Sequence, residues 1–402
     1  MRDPHSRFVT VLITLCVALG PLSTDMYLPA LPSLTGFFET TTDKVQLTLS
    51  VFFLGFAFAQ LIYGPLSDRF GRKPLLIIGL SVFMLASIGC VFATSIEQLI
   101  FYRFLQAVGG CAGPVLGRTI VRDIHGAKHS AKVLSHIGTA MALAPAIAPI
   151  LGGYINNLFD WQSIFIFLAV YGGISIALLV KNVPETCPEE KHHSIHPLLI
   201  LKNFGFLLSH RHYVGYVLTC SFIFSGLFSF LSGSSFVLIE FLGIKSQHFG
   251  YYFTGMVFGY MTGTFIAGHL TLKWGINRLI IWGTSISAIA GIMMNAFALL
   301  EIYGVVFIIA PMYFFMVGVG IVMPQTMAGA LAPFPKLAGT ASSLLGFLQS
   351  LTAAIVGTLV GHLYTGTPVV MTSSIALMGC LAFISFRFFV SPSKAEAITA
   401  TT

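Results

Sequence analysis

Apolar runs of about 18 residues or more recur from one end of this 402-residue chain to the other, and that repetition leaves few folds open. A helix rising 1.5 Å per residue needs about 20 residues to cross roughly 30 Å of hydrocarbon. The runs are continuous rather than alternating, so α-helices, which satisfy every backbone group internally, are expected instead of a β-barrel. Hydrophobic residues make up 56% of the chain and charged residues 9%, with a mean hydropathy of +0.88. A soluble core is excluded, because soluble domains carry about 25% charged residues. The expectation is an all-α integral membrane protein of twelve spans, near 9–30, 45–66, 75–94, 98–120, 133–156, 162–180, 213–237, 249–270, 279–299, 303–325, 339–362 and 368–389.

Orientation follows from the basic residues, which favour the cytoplasmic side. Of 21 Lys and Arg, all but Lys44, Lys245 and Arg103 fall in one alternate set of loops and helix ends, including Arg69, Arg72, Lys73, Arg118, Arg122, Lys181, Lys273 and Arg387. Both termini are therefore expected in the cytoplasm. The net charge of +7 is explained by this topology and by contact with the lipid bilayer, so nucleic acid is not an expected partner. The six cysteines are scattered singly, which implies neither a disulfide framework nor a metal site, and no cofactor is expected.

The longest polar interval, residues 181–212, divides six spans from six. It is expected to be a cytoplasmic linker, with a bundle at 1–180 before it and a bundle plus short tail at 213–402 after it. Within it, residues 197–204 read as an amphipathic stretch at the membrane surface, and His192, His193 and His196 as a solvated piece. Shifting the chain by about 204 residues lays Gly64, Leu66, Arg69, Phe70 and Gly71 over Gly268, Leu270, Lys273, Trp274 and Gly275, and Gly55 over Gly259. Asp68 falls on Leu272, so the second copy has no acid there. Two like-oriented repeats suit alternating access around a midplane site. Gly109, Gly113 and Gly117, and likewise Gly255, Gly259 and Gly263, form ridges at helical spacing where backbones can meet.

An ionisable residue inside a span costs about 2.5–3.5 kcal/mol at the helix centre and so points to function. Asp25 is the clear acidic case, and Arg103 in the fourth span lies at a comparable height. The two are expected to face each other, with Asp25 carrying a proton and Arg103 favouring its release. In the charged loop Gly64-Pro65-Leu66-Ser67-Asp68-Arg69-Phe70-Gly71-Arg72-Lys73-Pro74, Gly64 and Gly71 are expected to let two helix ends reverse direction. Asp68 is expected to accept from a neighbouring helix N-terminus.

This loop resembles the G-x-L-x-D-R-x-G-R-K signature of the major facilitator superfamily, between its second and third helices. Two further stretches are similar to motifs of that family. One is Arg103-Phe104-Leu105-Gln106-Ala107-Val108-Gly109, close to R-x-x-Q-G-x-G. The other is Ala144-Pro145-Ala146-Ile147-Ala148-Pro149-Ile150-Leu151-Gly152-Gly153, close to the fifth-helix antiporter motif, with Ala144 and Ala148 in place of two glycines. Thr24-Asp25-Met26-Tyr27-Leu28-Pro29-Ala30-Leu31-Pro32 resembles the Bcr/CflA branch of drug:proton antiporters.

The resemblance implies a major facilitator fold of twelve helices in two pseudo-symmetric six-helix bundles. It also implies proton-coupled export of drugs or other small amphipathic molecules across the bacterial inner membrane. An exporter of an endogenous metabolite, such as a siderophore, sugar or amino-acid derivative, is the alternative. Carried over residue by residue, it makes Gly64, Asp68, Arg69, Gly71 and Arg72 a gate at the inner face, with Asp68 as a latch. Pro149, Gly152 and Gly153 become a kink and a tight contact with the facing half. Substrate is expected to touch Tyr27, Gln106, Phe224 and Phe228, and a monomer is expected. There is no G-x-x-x-x-G-K-[ST] loop, G-x-S-x-G elbow or H-E-x-x-H helix, so neither ATP-driven transport nor an enzyme is expected.

Overall fold

A computed structural model describes residues 7–187 and 197–390. Arg2, the His192–His196 piece of the linker and Lys394 lie outside the described residues. The described chain is helical throughout, as continuous apolar segments in lipid require. The order is α1 (Arg7–Asp25), a 3-10 turn (Leu28–Ala30), α2 (Leu31–Phe37), α3 (Thr42–Phe70), α4 (Arg72–Val91), α5 (Ile96–Gly110), α6 (Ala112–Phe159), α7 (Gln162–Asn182) and α8 (Pro197–Leu208). After these come α9 (Arg211–Ser235), continued by a π-helical turn (Phe236–Phe241), then α10 (Ser246–Trp274), α11 (Ile276–Leu299), α12 (Val305–Leu331), α13 (Ala338–His362) and α14 (Val369–Phe389).

Ten helical stretches among the described residues are long and apolar enough to cross a membrane. The expected fifth span is represented by a shorter apolar stretch, Leu143–Phe159. The expected eighth lies in α10, which has the length but carries Tyr, Gly, Thr, His and Lys that lower its hydropathy. The connection expected between the fourth and fifth spans is short, two helical segments meeting at a kink. Helix α6 runs through it, interrupted only at Gly126, where φ 66° and ψ 170° reverse the chain.

Polarity is arranged inside out relative to a soluble protein. Large apolar side chains such as Ile78, Leu85, Phe92, Ile166, Phe265, Ile289, Val306 and Ile384 are exposed, whereas Arg103, Gln106, Ser225, Ser229, Ser232 and Ser235 are fully buried. Lipid solvates the former. The latter must find partners within the protein.

The chain forms two compact units. The first comprises Met1–Ile195 together with Leu231–Val257 and Gly357–Pro368, and the second comprises His196–Phe230, Phe258–Val356 and Val369–Thr402. In the first unit, the small-residue ridge of the fourth span serves two neighbours. A Cβ on Gly109 would fall 2.4 Å from the Phe83 backbone nitrogen of α4, and one on Gly113 would fall 2.0 Å from the Cys16 carbonyl of α1. In the second unit, Gly259 and Gly263 press α10 onto the Tyr313 and Val317 carbonyls of α12, while Gly255, in the first, meets none of the described residues within 4 Å of its Cβ position. Packing at this range is open only to glycine.

The internal repeat is visible in the elements themselves. Helices α3 and α10 each span 29 residues and end at Gly71 and Gly275, whose φ/ψ values of 93°/153° and 75°/161° match. Gly55 and Gly259 likewise both abut a backbone carbonyl of the fourth or tenth span, Phe104 and Tyr313.

Candidate functional site

The first span breaks where its sequence demands. Pro29 and Pro32 cannot donate backbone hydrogen bonds, so α1 ends at Asp25 and a 3-10 turn bridges to α2. Asp25 is therefore the last residue of a helix and is buried, at 4% exposure. Its carboxylate accepts a hydrogen bond from the Thr24 hydroxyl at 3.0 Å. Among the described residues no cationic group lies within ion-pair distance of it.

Arg103 does meet this break, but not through the carboxylate as expected. Its Nη1 donates to the Ser23 carbonyl at 3.1 Å and to Gln106 Oε1 at 2.5 Å, while Nε and Nη2 are buried without a hydrogen-bond partner. The guanidinium sits 4.7 Å from the Tyr27 ring centroid, 4.4 Å from Phe52 and 5.8 Å from Phe165. Desolvated cation–π contacts contribute about 2 kcal/mol each at best, which offsets part of the several kcal/mol that burying an unpaired charge costs.

Two residues expected to touch substrate belong to this cage. Tyr27 is fully buried; its ring stacks on Arg103 and packs 5.4 Å from Phe165, and its hydroxyl is bonded to Thr48 at 3.0 Å. Gln106 has both amide ends engaged, Oε1 with Arg103 and Nε2 with Ser87 Oγ at 2.8 Å. Of the two phenylalanines expected at the substrate, Phe228 is fully enclosed and Phe224 is half-buried. Phe52, Phe165, Thr48 and Ser87 were not singled out from sequence; among 37 phenylalanines nothing local marks the two that face Arg103.

The fifth-helix motif meets the same break. A Cβ on Gly152 would lie 1.9 Å from the Met26 carbonyl, so the glycine admits the backbone of the first span, not the facing half as expected. A Cβ on Gly153 would lie 2.7 Å from the Ser246 carbonyl at the start of α10, within the first compact unit. Pro149, buried inside α6, removes one rung of its ladder nearby.

At the other end of the spans, the charged loop departs from expectation at two residues. Gly64 lies inside α3 with nothing within 4 Å of its Cβ position, so it makes neither a turn nor a close approach. The turn is made by Gly71 alone. Asp68 does not cap a helix; it pairs with Arg72 Nη1 at 2.5 Å and is half exposed. The acceptor at the α4 N-terminus is Glu185, just beyond α7. Its Oε1 takes the Arg72 N–H at 2.9 Å and its Oε2 the Lys73 N–H at 3.1 Å, while Oε1 also accepts from the Thr186 and Cys187 N–H groups. A carboxylate there complements the orphan donors and the positive end of the helix dipole.

Arg72 continues the network. It donates to Ser67 Oγ at 2.6 Å and pairs through Nε with Asp123 at 3.3 Å, while the Lys73 ammonium reaches the Val180 carbonyl at 3.0 Å. Arg69 is exposed, with its guanidinium 5.2 Å from the Phe70 ring. Sequence reasoning missed Glu185 and Asp123. The available signal was that each is an acid just beyond a span on the basic side.

A multi-pass helical protein with a buried acid and a caged arginine at a broken first span, and a charged turn at the far end of the same bundle, is a membrane transporter and not an enzyme. The model of the Major Facilitator Superfamily matches residues 13–357, and the chain belongs to that family. It is 30% identical over 97% of its length to a "Bicyclomycin resistance protein homolog" of Haemophilus influenzae, covering 98% of that protein. It is 29% identical over 88% of its length to a "Chloramphenicol resistance protein" of Pseudomonas aeruginosa, covering 84% of it. These relatives bear out the resemblance to the Bcr/CflA branch. The fold is shared with a D-xylose-proton symporter, at a TM-score of 0.76, 17% identity and coverage of 95% and 96% of the two chains.

Proposed function

We propose that this protein is a proton-coupled antiporter that exports drugs or other small amphipathic molecules across the bacterial inner membrane by alternating access. In this reading twelve spans form two bundles, 1–180 and 213–402, joined by a cytoplasmic linker at 181–212, with both termini in the cytoplasm and the protein working as a monomer. The relatives' names supply the class of cargo.

The observation that carries the coupling is the state of the break. Asp25 is buried with only a hydroxyl partner, and two nitrogens of Arg103 stand unbonded beside the same segment. A buried carboxyl with no cation is stable only when it holds its proton. The open Nε–Nη2 edge of Arg103 has the fork geometry that takes a carboxylate in a bidentate pair. The cycle then has two arrangements: a protonated Asp25 with Arg103 held by the aromatic cage, and a deprotonated Asp25 docked on Arg103. The inner-face residues Asp68, Arg69, Gly71, Arg72 and Glu185 form the gate opposite, and half-buried Phe224 is the best placed of the expected substrate contacts.

The test is drug-driven proton release from proteoliposomes containing the wild type or Asp25→Asn, with bicyclomycin and chloramphenicol as probes. Coupling is expected to vanish in the variant. Undiminished coupling removes Asp25 from the mechanism, and a wild type that moves neither drug favours the metabolite exporter.

A further inference from the structure

The break in the first span does more than end a helix at Asp25. Pro32 has no N–H for the Leu28 carbonyl four residues before it, so that carbonyl keeps only a 3-10 bond from the Leu31 N–H and leaves a lone pair open. The fully buried Ser235 hydroxyl fills it at 2.6 Å. One residue on, the Pro29 carbonyl receives the Ser246 hydroxyl at 2.9 Å. Ser235 is the last residue of α9 and Ser246 the first of α10, so the two donors flank a single connection, residues 236–245.

The surrounding contacts join the same segments at close range, two of them to backbone. Thr254 Oγ1 donates to the Ala146 carbonyl at 2.6 Å, Tyr154 and Tyr251 share a hydroxyl pair at 2.8 Å, and a Cβ on Gly250 would fall 2.4 Å from the Ile150 nitrogen. All of these belong to the first compact unit, which takes in residues 231–257 for this reason.

We propose that Ser235 and Ser246 are gating residues: two hydroxyls that clip the outer ends of α9 and α10 to main-chain carbonyls of the broken first span, and so hold the outer side closed. Their acceptors lie directly beyond Asp25 in sequence, which ties the clip to the segment that carries the proton. A rearrangement of the break breaks both bonds at once, and a break at rest keeps them. The inference rests on the alternating-access reading above.

The test is hydrogen exchange of the full-length protein in lipid nanodiscs, with no substrate added, comparing wild type, Ser246→Ala and Ser235→Ala/Ser246→Ala. Two net hydrogen bonds of about 1 kcal/mol each correspond to about 25-fold faster exchange. That acceleration is expected in peptides covering 24–34 and 246–257 of the double variant, with residues 64–74 unchanged. Ser246→Ala alone, the milder change at a half-buried helix start, is expected to give about fivefold in the same peptides and carries the test should the double variant fail to fold. Ser229→Ala, which removes a bond to Ser374 within the second unit, is expected to leave the outer peptides unaltered. Unchanged exchange at 24–34 and 246–257, or an equal rise across the whole chain, overturns the proposal. An Asp25→Asn protein that still couples drug to protons leaves the clip standing, and a silent exchange experiment leaves the coupling standing, so the two readings fail separately.

Discussion

Gly152 offers the sharpest quantitative handle on the break. Its Cβ position lies 1.9 Å from the Met26 carbonyl oxygen and 2.7 Å from the Met26 Cα, and both are backbone atoms that no rotamer change can move. Gly152→Ala therefore forces α6 and the first span apart by roughly 1 Å, an overpacking that costs about 1–3 kcal/mol. Met26 follows Asp25 directly, so the displacement falls on the segment proposed to carry the proton, and a shift of that size changes a two-state balance by about 5- to 150-fold. The assay is export by everted vesicles, normalised to inserted protein, together with thermal unfolding in detergent. Transport is expected to fall at least tenfold and the melting temperature to drop. Gly138→Ala is the control in the same stretch of α6, where none of the described residues lies within 4 Å of the Cβ position. Equal activity and equal melting of the two variants would refute the claim that backbone-to-backbone contact at Gly152 holds the break.

Two further outcomes follow from the same geometry. Arg103→Lys keeps the charge but loses the planar group that stacks among Tyr27, Phe52 and Phe165, and it has no paired edge for a carboxylate; coupled transport is expected to be lost with normal insertion, and full activity would show that charge alone suffices. Gly71→Ala and Gly275→Ala incur the same backbone strain of about 1–3 kcal/mol, but only at Gly71 does the new Cβ meet the capping Glu185 carboxylate, at 2.7 Å, and displacing that cap costs about 1 kcal/mol more. Thermal unfolding should therefore rank Gly71→Ala below Gly275→Ala, and Glu185→Ala should speed exchange at the first amides of α4; an equal ranking would remove Glu185 from the gate.

Much of the architecture was legible because lipid imposes a simple rule on sequence: each crossing must be a continuous apolar helix, and each turn must carry its polar residues outside. The repeat offset that aligned Gly71 with Gly275 also aligns α3 with α10, since a positive-φ turn closing a helix of fixed length leaves its glycine in the text. The meeting of the fourth span with the first near Asp25 followed from helical rise alone. What rise could not say is which atom Arg103 would choose. It took the Ser23 carbonyl and three aromatic faces, a choice made by side chains from α3 and α7 that are distant in sequence and indistinguishable there from lipid-facing phenylalanines.

The charged loop shows the same division. Composition and spacing identified Gly71 as a turn, and the family resemblance placed Arg72 at a gate, but the helix cap was credited to Asp68 when it belongs to Glu185, more than a hundred residues away. By itself the sequence determined that this chain is a bundle of membrane helices with an acid in its first span, because those features depend on local composition and on the solvent. Only the tertiary structure decided which carbonyls the break exposes, which hydroxyls and aromatic rings answer them, and which carboxylate closes the α4 terminus. Hydrogen bonds and cation–π contacts act over a few ångströms, so their partners exist only once distant segments have been packed side by side.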